Sequence, residues 1–300
     1  MSLGRRFGTG IVSPAFPAVA STAAVVVALA LLMGQSAHAQ SQLIPGRNVN
    51  MVSGTKWPDG DPYLQRQNEP SVAASTRNPL HLLAGANDYR TVDIPNPNDG
   101  GAETGDAWLG LFKSFDGGQR WQSTLLPGYH QDTSPEGTTS PLYGYQAGAD
   151  PVVRAGTNGL FYYAGLVLDR GTGGKNAIFV ARFIDNNNKE ANYRTNTSAG
   201  SNDPVQYLGT NIVAASPGTK FFDKPWMAVD IPRTGRTCRI PGAGKAGNQV
   251  VPAGNVYVAF SSITRDSQGL KSEIMFTTSS DCGTTWSAPI RISRAADRIN

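Results

Sequence analysis

From residue 67 onward the chain is a succession of short apolar runs, at 80–86, 108–113, 122–126, 160–168, 177–184, 255–263, 273–278 and 288–292. Gly, Pro, Asn and Asp bound each run, which is the pattern of strands joined by turns. No stretch carries the i, i+3, i+4 apolar spacing of an amphipathic helix. The 34 glycines and 20 prolines are spread through the turns and form no low-complexity block. The pattern predicts an all-β protein.

The runs repeat in order. Glu69-Pro-Ser-Val-Ala, Asp150-Pro-Val-Val-Arg and Asp223-Lys-Pro-Trp-Met-Ala-Val each set an acidic residue and a proline ahead of an apolar run. A second and a third run follow each of them. The acidic residues lie 81 (69 to 150) and 73 (150 to 223) positions apart, so the unit is a four-stranded antiparallel meander, which suits a propeller blade. The units span about 67–145, 146–216 and 217–300, with 40–66 as an N-terminal arm. If the strands of a unit run A to D from the inside outward, the D–A and B–C connections share one end, and the A–B and C–D turns share the other.

Two of the C–D turns carry one motif. Ser114-Phe-Asp116-Gly-Gly118-Gln-Arg-Trp121 and Ser279-Ser-Asp281-Cys-Gly283-Thr-Thr-Trp286 both read S-x-D-x-G-x-x-W. An Asp that accepts backbone N–H groups, a Gly free to take positive φ and a Trp that buries its ring suit a tight turn between strands. The middle unit has Asp185-Asn-Asn-Asn at the matching place, which reads as a degenerate copy. The motif resembles the Asp box, or BNR repeat, of the sialidase-like β-propeller superfamily. That resemblance implies a six-bladed β-propeller, of which about three blades and the signal peptide lie in this chain. It further implies that the remaining blades lie beyond Asn300, together with a nucleophilic Tyr and its partner Glu. In that family the Asp box is structural, so Ser114, Asp116, Gly118, Trp121, Ser279, Asp281, Gly283 and Trp286 are expected to shape turns.

Residues 1–39 read as a secretory signal peptide: Arg5 and Arg6, an apolar run over 19–33, and the A-x-A site Ala37-His38-Ala39. Its removal takes two arginines from a formal net charge of +4, leaving no basic surplus to attract nucleic acid or an acidic membrane surface. The expectation is a secreted or periplasmic protein. In that compartment Cys238 and Cys282, which fall at the same end of the third unit, are expected to form a disulfide. Only His81 and His130 remain after cleavage, in unrelated contexts, which speaks against a His-based metal site or a Ser/His/Asp triad. No metal or other cofactor is expected. The Asn- and Asp-rich loops 96–106 and 185–190 lack calcium-loop spacing and read as solvated turns, and Asn196-Thr-Ser198 is a glycosylation sequon.

Candidate chemistry gathers at the end opposite the Asp boxes. Glu69, Asp150 and Asp223 open the innermost strands, either as caps of turns beside their prolines or as carboxylates facing a central mouth. The second strands end in Asn87-Asp88-Tyr89-Arg90, Asp169-Arg170 and Arg265-Asp266, so an arginine recurs within two residues of an Asp in every unit. The guanidinium fork holds a carboxylate bidentately, as sialidase-like chemistry on an acidic sugar requires. The acid/base carboxylate is therefore sought among Asp88, Asp150 and Glu69, and substrate contacts among Arg90, Arg170, Arg265, Tyr89 and Asp223. One departure stands out: sialidases of this fold carry an Arg-Ile-Pro motif where this chain has Asn68-Glu69-Pro70, and Arg239-Ile240-Pro241 spells it at the other end. Two functions follow: a secreted glycoside hydrolase of exo-sialidase type acting on a glycan or glycoconjugate, or a non-catalytic extracellular propeller that binds glycan or protein. Oligomeric state is not legible.

Overall fold

The computed structural model describes residues 48–52, 67–93, 100, 105–186, 204–240 and 248–299, with side chains to residue 296. The signal peptide, most of the arm, the sequon, Pro241 and most of loop 96–106 lie outside the described residues.

The strands form three antiparallel meanders. The first joins β1 (Gln67–Ala74), β2 (Leu82–Asp88), β3 (Trp108–Ser114) and β4 (Gln122–Leu125) in that order. The second joins β5 (Ala147–Ala155), β6 (Leu160–Leu168), β7 (Asn176–Asp185) and β8 (Val205–Ser216). In the third, a separate hairpin of β10 (Thr237–Ile240) and β11 (Gln249–Pro252) is inserted after β9 (Phe221–Val229). The sheet then continues with β12 (Val256–Asp266), β13 (Gly269–Ser279) and the short β14 (Ile290–Arg291), and β15 (Asp297–Ile299) pairs with the far end of β13. The first strands β1, β5 and β9 lie side by side, so the sheets are set radially around their inner edges, as blades are.

The middle sheet explains the longest apolar run. Leu160–Leu168 has no polar alternation because both of its faces are covered. Phe161, Tyr163 and Val167 pack with Leu83, Leu109 and Leu111 of the first sheet. Tyr162, Ala164 and Leu166 pack with Val256, Val258 and Phe260 of the third. Gly85 is required by this contact, since a Cβ there would lie 2.6 Å from the Tyr163 ring, whose hydroxyl donates to the Gly110 carbonyl at 2.8 Å. Lys113, buried between the same sheets, donates to the Val205 carbonyl at 2.7 Å.

The two S-x-D-x-G-x-x-W turns have the same hydrogen bonds. In one, Ser114 Oγ accepts from Gly118 N at 2.8 Å and Asp116 Oδ1 accepts from Arg120 N at 2.9 Å. In the other, Ser279 Oγ accepts from Gly283 N and Asp281 Oδ1 accepts from Thr285 N, both at 2.9 Å. Each tryptophan, half-buried, donates its indole N–H to the carbonyl of the turn glycine, Gly118 or Gly283. Asp281 also accepts from the Thr285 and Ser279 hydroxyls. Asp281→Ala therefore loses several bonds at once, and the expected result is a loss of about 2 kcal/mol in urea unfolding. A midpoint matching the parent would show that the backbone alone holds the turn. In the middle sheet the Asp185 carboxylate reaches across to the first: it accepts from Ser75 Oγ at 2.6 Å and meets His81 Nδ1 at 2.8 Å.

Cys238 on β10 and Cys282 in the second turn form a disulfide with Cα atoms 6.2 Å apart. It fastens the hairpin to its own sheet. The hairpin in turn reaches the other two: Thr157 Oγ1 donates to the Pro252 carbonyl, and Arg77 Nη2 donates to Gln249 Oε1. Arg239 and Ile240 belong to this hairpin, at the end away from the candidate chemistry.

Candidate functional site

Each inner strand carries the same irregularity. The pairing register slips between Asn68 and Ser71, between Ala149 and Val152, and opposite Ala259/Ser261 between Asp223 and Trp226. The two residues left unpaired are in every case X-Pro: Glu69-Pro70, Asp150-Pro151 and Lys224-Pro225. Proline, lacking an N–H, is tolerated here because β1, β5 and β9 are edge strands. The residue before it takes a left-handed backbone each time, with φ of 52° at Glu69, 58° at Asp150 and 45° at Lys224. A left-handed non-glycine residue is strained, and residues before proline favour extended backbone, so the same unfavourable conformation is held three times over. A bulge of this kind re-aims a side chain.

The result is a cluster of three charges from three sheets. Lys224 Nζ donates to Glu69 Oε1 at 3.0 Å and Oε2 at 2.9 Å, and to Asp150 Oδ1 at 3.1 Å. The two carboxyl groups thus share one ammonium. Asn87, at the end of β2, accepts from the Asp150 backbone N–H at 2.7 Å and so holds the second bulge from the first sheet. Burial, then the hydrogen bond to Glu69, pushes the Asp150 carboxyl up to about 6 against the pull of Lys224. Hydrogen bonds from Asp150 and Lys224 hold Glu69 below its usual range. Below about pH 6 a proton thus resides on Asp150, beside Glu69 and the Lys224 ammonium.

Several expectations change. Asp223 is not the third member of the set: it precedes the bulge and its carboxylate accepts the Lys224 backbone N–H at 2.9 Å. Proline, not the acidic residue, marks the position, and the matching side chain is Lys224. Glu69 and Asp150 lie within bulged strands and are neither strand openers nor turn caps. Asp88 and Arg90 leave the site altogether. Both are buried, Asp88 to 0% and Arg90 to 4% exposure. The guanidinium forks onto the Asp88 carboxylate at 2.6–2.9 Å and donates further to Ser123 Oγ and the Thr124 carbonyl. Arg90 thus has no free face for a substrate.

Arg170 and Arg265 stay at the surface. Arg170 is held by Asp106, Nε to Oδ2 at 2.6 Å, and half-buried Tyr89 lies within electrostatic reach of it. Arg170 and Arg265 line one crevice of about 410 Å³ between the second and third sheets. Lys224 and Asn87 are the participants that the residue pattern did not single out. The repeated X-Pro pair was the available signal for the first.

No known protein family matches the chain, and no curated protein matches it. Among solved structures it is similar to the α-L-arabinofuranosidase arb93a of Fusarium graminearum with an iminosugar inhibitor. A point mutant matches at 14% identity and TM-score 0.42, and a second structure at 13% and 0.41. Each match covers 79% of this chain and 52% of the other, so the chain spans about half the length of these structures. A protein of unknown function from Dyadobacter fermentans matches at 14% identity and TM-score 0.27, over 76% of this chain and 69% of that one. The blade-like arrangement described above rests on this chain's own pairing.

Proposed function

We propose that the chain is part of a secreted, glycan-directed glycoside hydrolase, built on a six-bladed propeller, in which Asp150 is the proton donor. The observation that carries this reading is the convergence of Glu69, Asp150 and Lys224 through one bulge repeated on three inner strands. Cleavage of a glycosidic bond needs a carboxylic acid that is still protonated near neutral pH to protonate the leaving oxygen. Asp150, with its proton held up to about pH 6, supplies such an acid at mildly acidic pH. Glu69 is not assigned as nucleophile or base. Both of its oxygens already accept from Lys224 Nζ, at 3.0 and 2.9 Å, which leaves neither for a sugar carbon or a water. Glu69 and Lys224 instead set the Asp150 proton. Exo-sialidase chemistry is the finer form of this proposal, supported by the two S-x-D-x-G-x-x-W turns, with Arg170, Arg265 and Tyr89 as substrate contacts.

The test is the pH dependence of aryl glycoside hydrolysis by the full chain. Turnover is expected to be level below about pH 6 and to fall as pH rises through it, because Asp150 loses its proton there. Asp150→Asn is expected to lower kcat about 100-fold. Lys224→Met removes a group that pulls the Asp150 proton off, so the falling limb moves to higher pH. Glu69→Gln removes a group that holds the proton on, so the limb moves to lower pH. Shifts of the same sign in both variants, or full turnover in Asp150→Asn, would sink the assignment. Asn68, in the place of the family arginine, favours the second reading, a non-catalytic propeller. It predicts glycan affinity without turnover.

A further inference from the structure

We propose that the crevice between the second and third sheets is a binding site for a tetrahedral oxyanion ester, the sulfate or phosphate group of a modified sugar. The crevice, about 410 Å³, is lined from three separate segments: the β6–β7 turn with Arg170, the link from β8 to β9 with Lys220, and the end of β12 with Arg265. None of Glu69, Asp150 and Lys224 lines it, and the proposal does not rest on the hydrolase reading.

The charges decide what fits. Arg170 is already engaged by Asp106, through Nε and Nη2 at 2.6 and 3.1 Å. Asp169, the acidic residue of the lining, is answered by Lys175 at 3.8 Å and accepts the Gln146 backbone N–H. Lys220 and Arg265 are exposed, and among the described residues neither side chain has a carboxylate or hydrogen-bond partner. Two cations without anions therefore border one cleft, Lys220 from the link into β9 and Arg265 from the end of β12. The cleft is held open by a close main-chain contact: a Cβ on Gly218 would lie 2.0 Å from the Gly173 carbonyl oxygen, so the two loops of its wall back directly onto each other. A single arginine fork suits a planar carboxylate with two oxygens. Donors from three segments suit a group with three terminal oxygens spread in three directions, and Thr219 and Thr264 add hydroxyls to the same wall.

Isothermal titration of the full chain at low salt tests this, with N-acetylglucosamine 6-sulfate, glucose 6-phosphate, glucuronate and unmodified glucose as probes. The expected result is binding of the sulfated or the phosphorylated sugar, with glucuronate weaker by about fivefold or more and glucose not detected. The stronger of the two esters identifies the group. Arg265→Ala and Lys220→Ala should each weaken ester binding about tenfold, with melting temperatures unchanged because both side chains are exposed. Glucuronate binding as tightly as the esters would make this a carboxylate site and overturn the proposal. So would parent-like affinity in both alanine variants, or no binding of either ester.

Discussion

Arg90→Met is expected to cost the fold about 3–5 kcal/mol, read as a lowered urea midpoint, while leaving the chemistry of each folded molecule alone. The substitution keeps an unbranched apolar stem and removes the guanidinium from a buried place, Arg90 being 4% exposed. Asp88, fully buried, then keeps a charge with its fork gone. Gly110 leaves no slack, since its Cα already stands so close that an added Cβ would sit 2.7 Å from Asp88 Oδ2. The double change Asp88→Leu with Arg90→Met removes both charges and is expected to cost much less than the single one, because no orphan remains. A single variant as stable as the parent, or a double variant worse than both singles, would mean that the pair does not carry the stability of this corner. The separation of stability from turnover matters here, because sequence pattern alone places Asp88 among the acid/base candidates and Arg90 among the substrate contacts.

The second large effect concerns the disulfide. Cys238→Ala with Cys282→Ala opens a loop of 44 positions, for which chain entropy gives about 4 kcal/mol. For a chain of this size that is a fall in Tm of roughly 8–16 °C. Treatment of the parent with reductant should reach the same Tm as the double variant. A shift under about 2 °C would show that the hairpin is held by its hydrogen bonds from Arg77 and Thr157 and needs no covalent tie.

What the residues reveal depends on how local the determinant is. The strands and the two S-x-D-x-G-x-x-W turns are legible because the bonds that the motif residues make with one another join residues within four positions, as Ser279 to Gly283 and Asp281 to Thr285 do. The disulfide is legible from compartment and placement. The fate of Arg90 is not, because it depends on Ser123 and Thr124, brought in by the fourth strand of the sheet. An Arg within two residues of an Asp looks the same at 90, where it is buried, and at 265, where it is exposed. The axial cluster falls between these cases. Its carboxylates at 69 and 150 are found by repetition, but alignment on acidic character lands on Asp223, one residue short. Alignment on proline gives Lys224 and with it the charge that ties the cluster together.

The X-Pro bulge also separates the chemistry of the axis from the architecture around it. Strand pairing continues on both sides of each bulge, with the register already shifted across it, so the side chain before the proline can change identity without moving any ladder. The three inner strands thus present three interchangeable sockets. Here they hold a Glu, an Asp and a Lys, and a different trio in the same sockets would give a different reactivity on an unaltered scaffold, subject only to what tolerates a left-handed backbone.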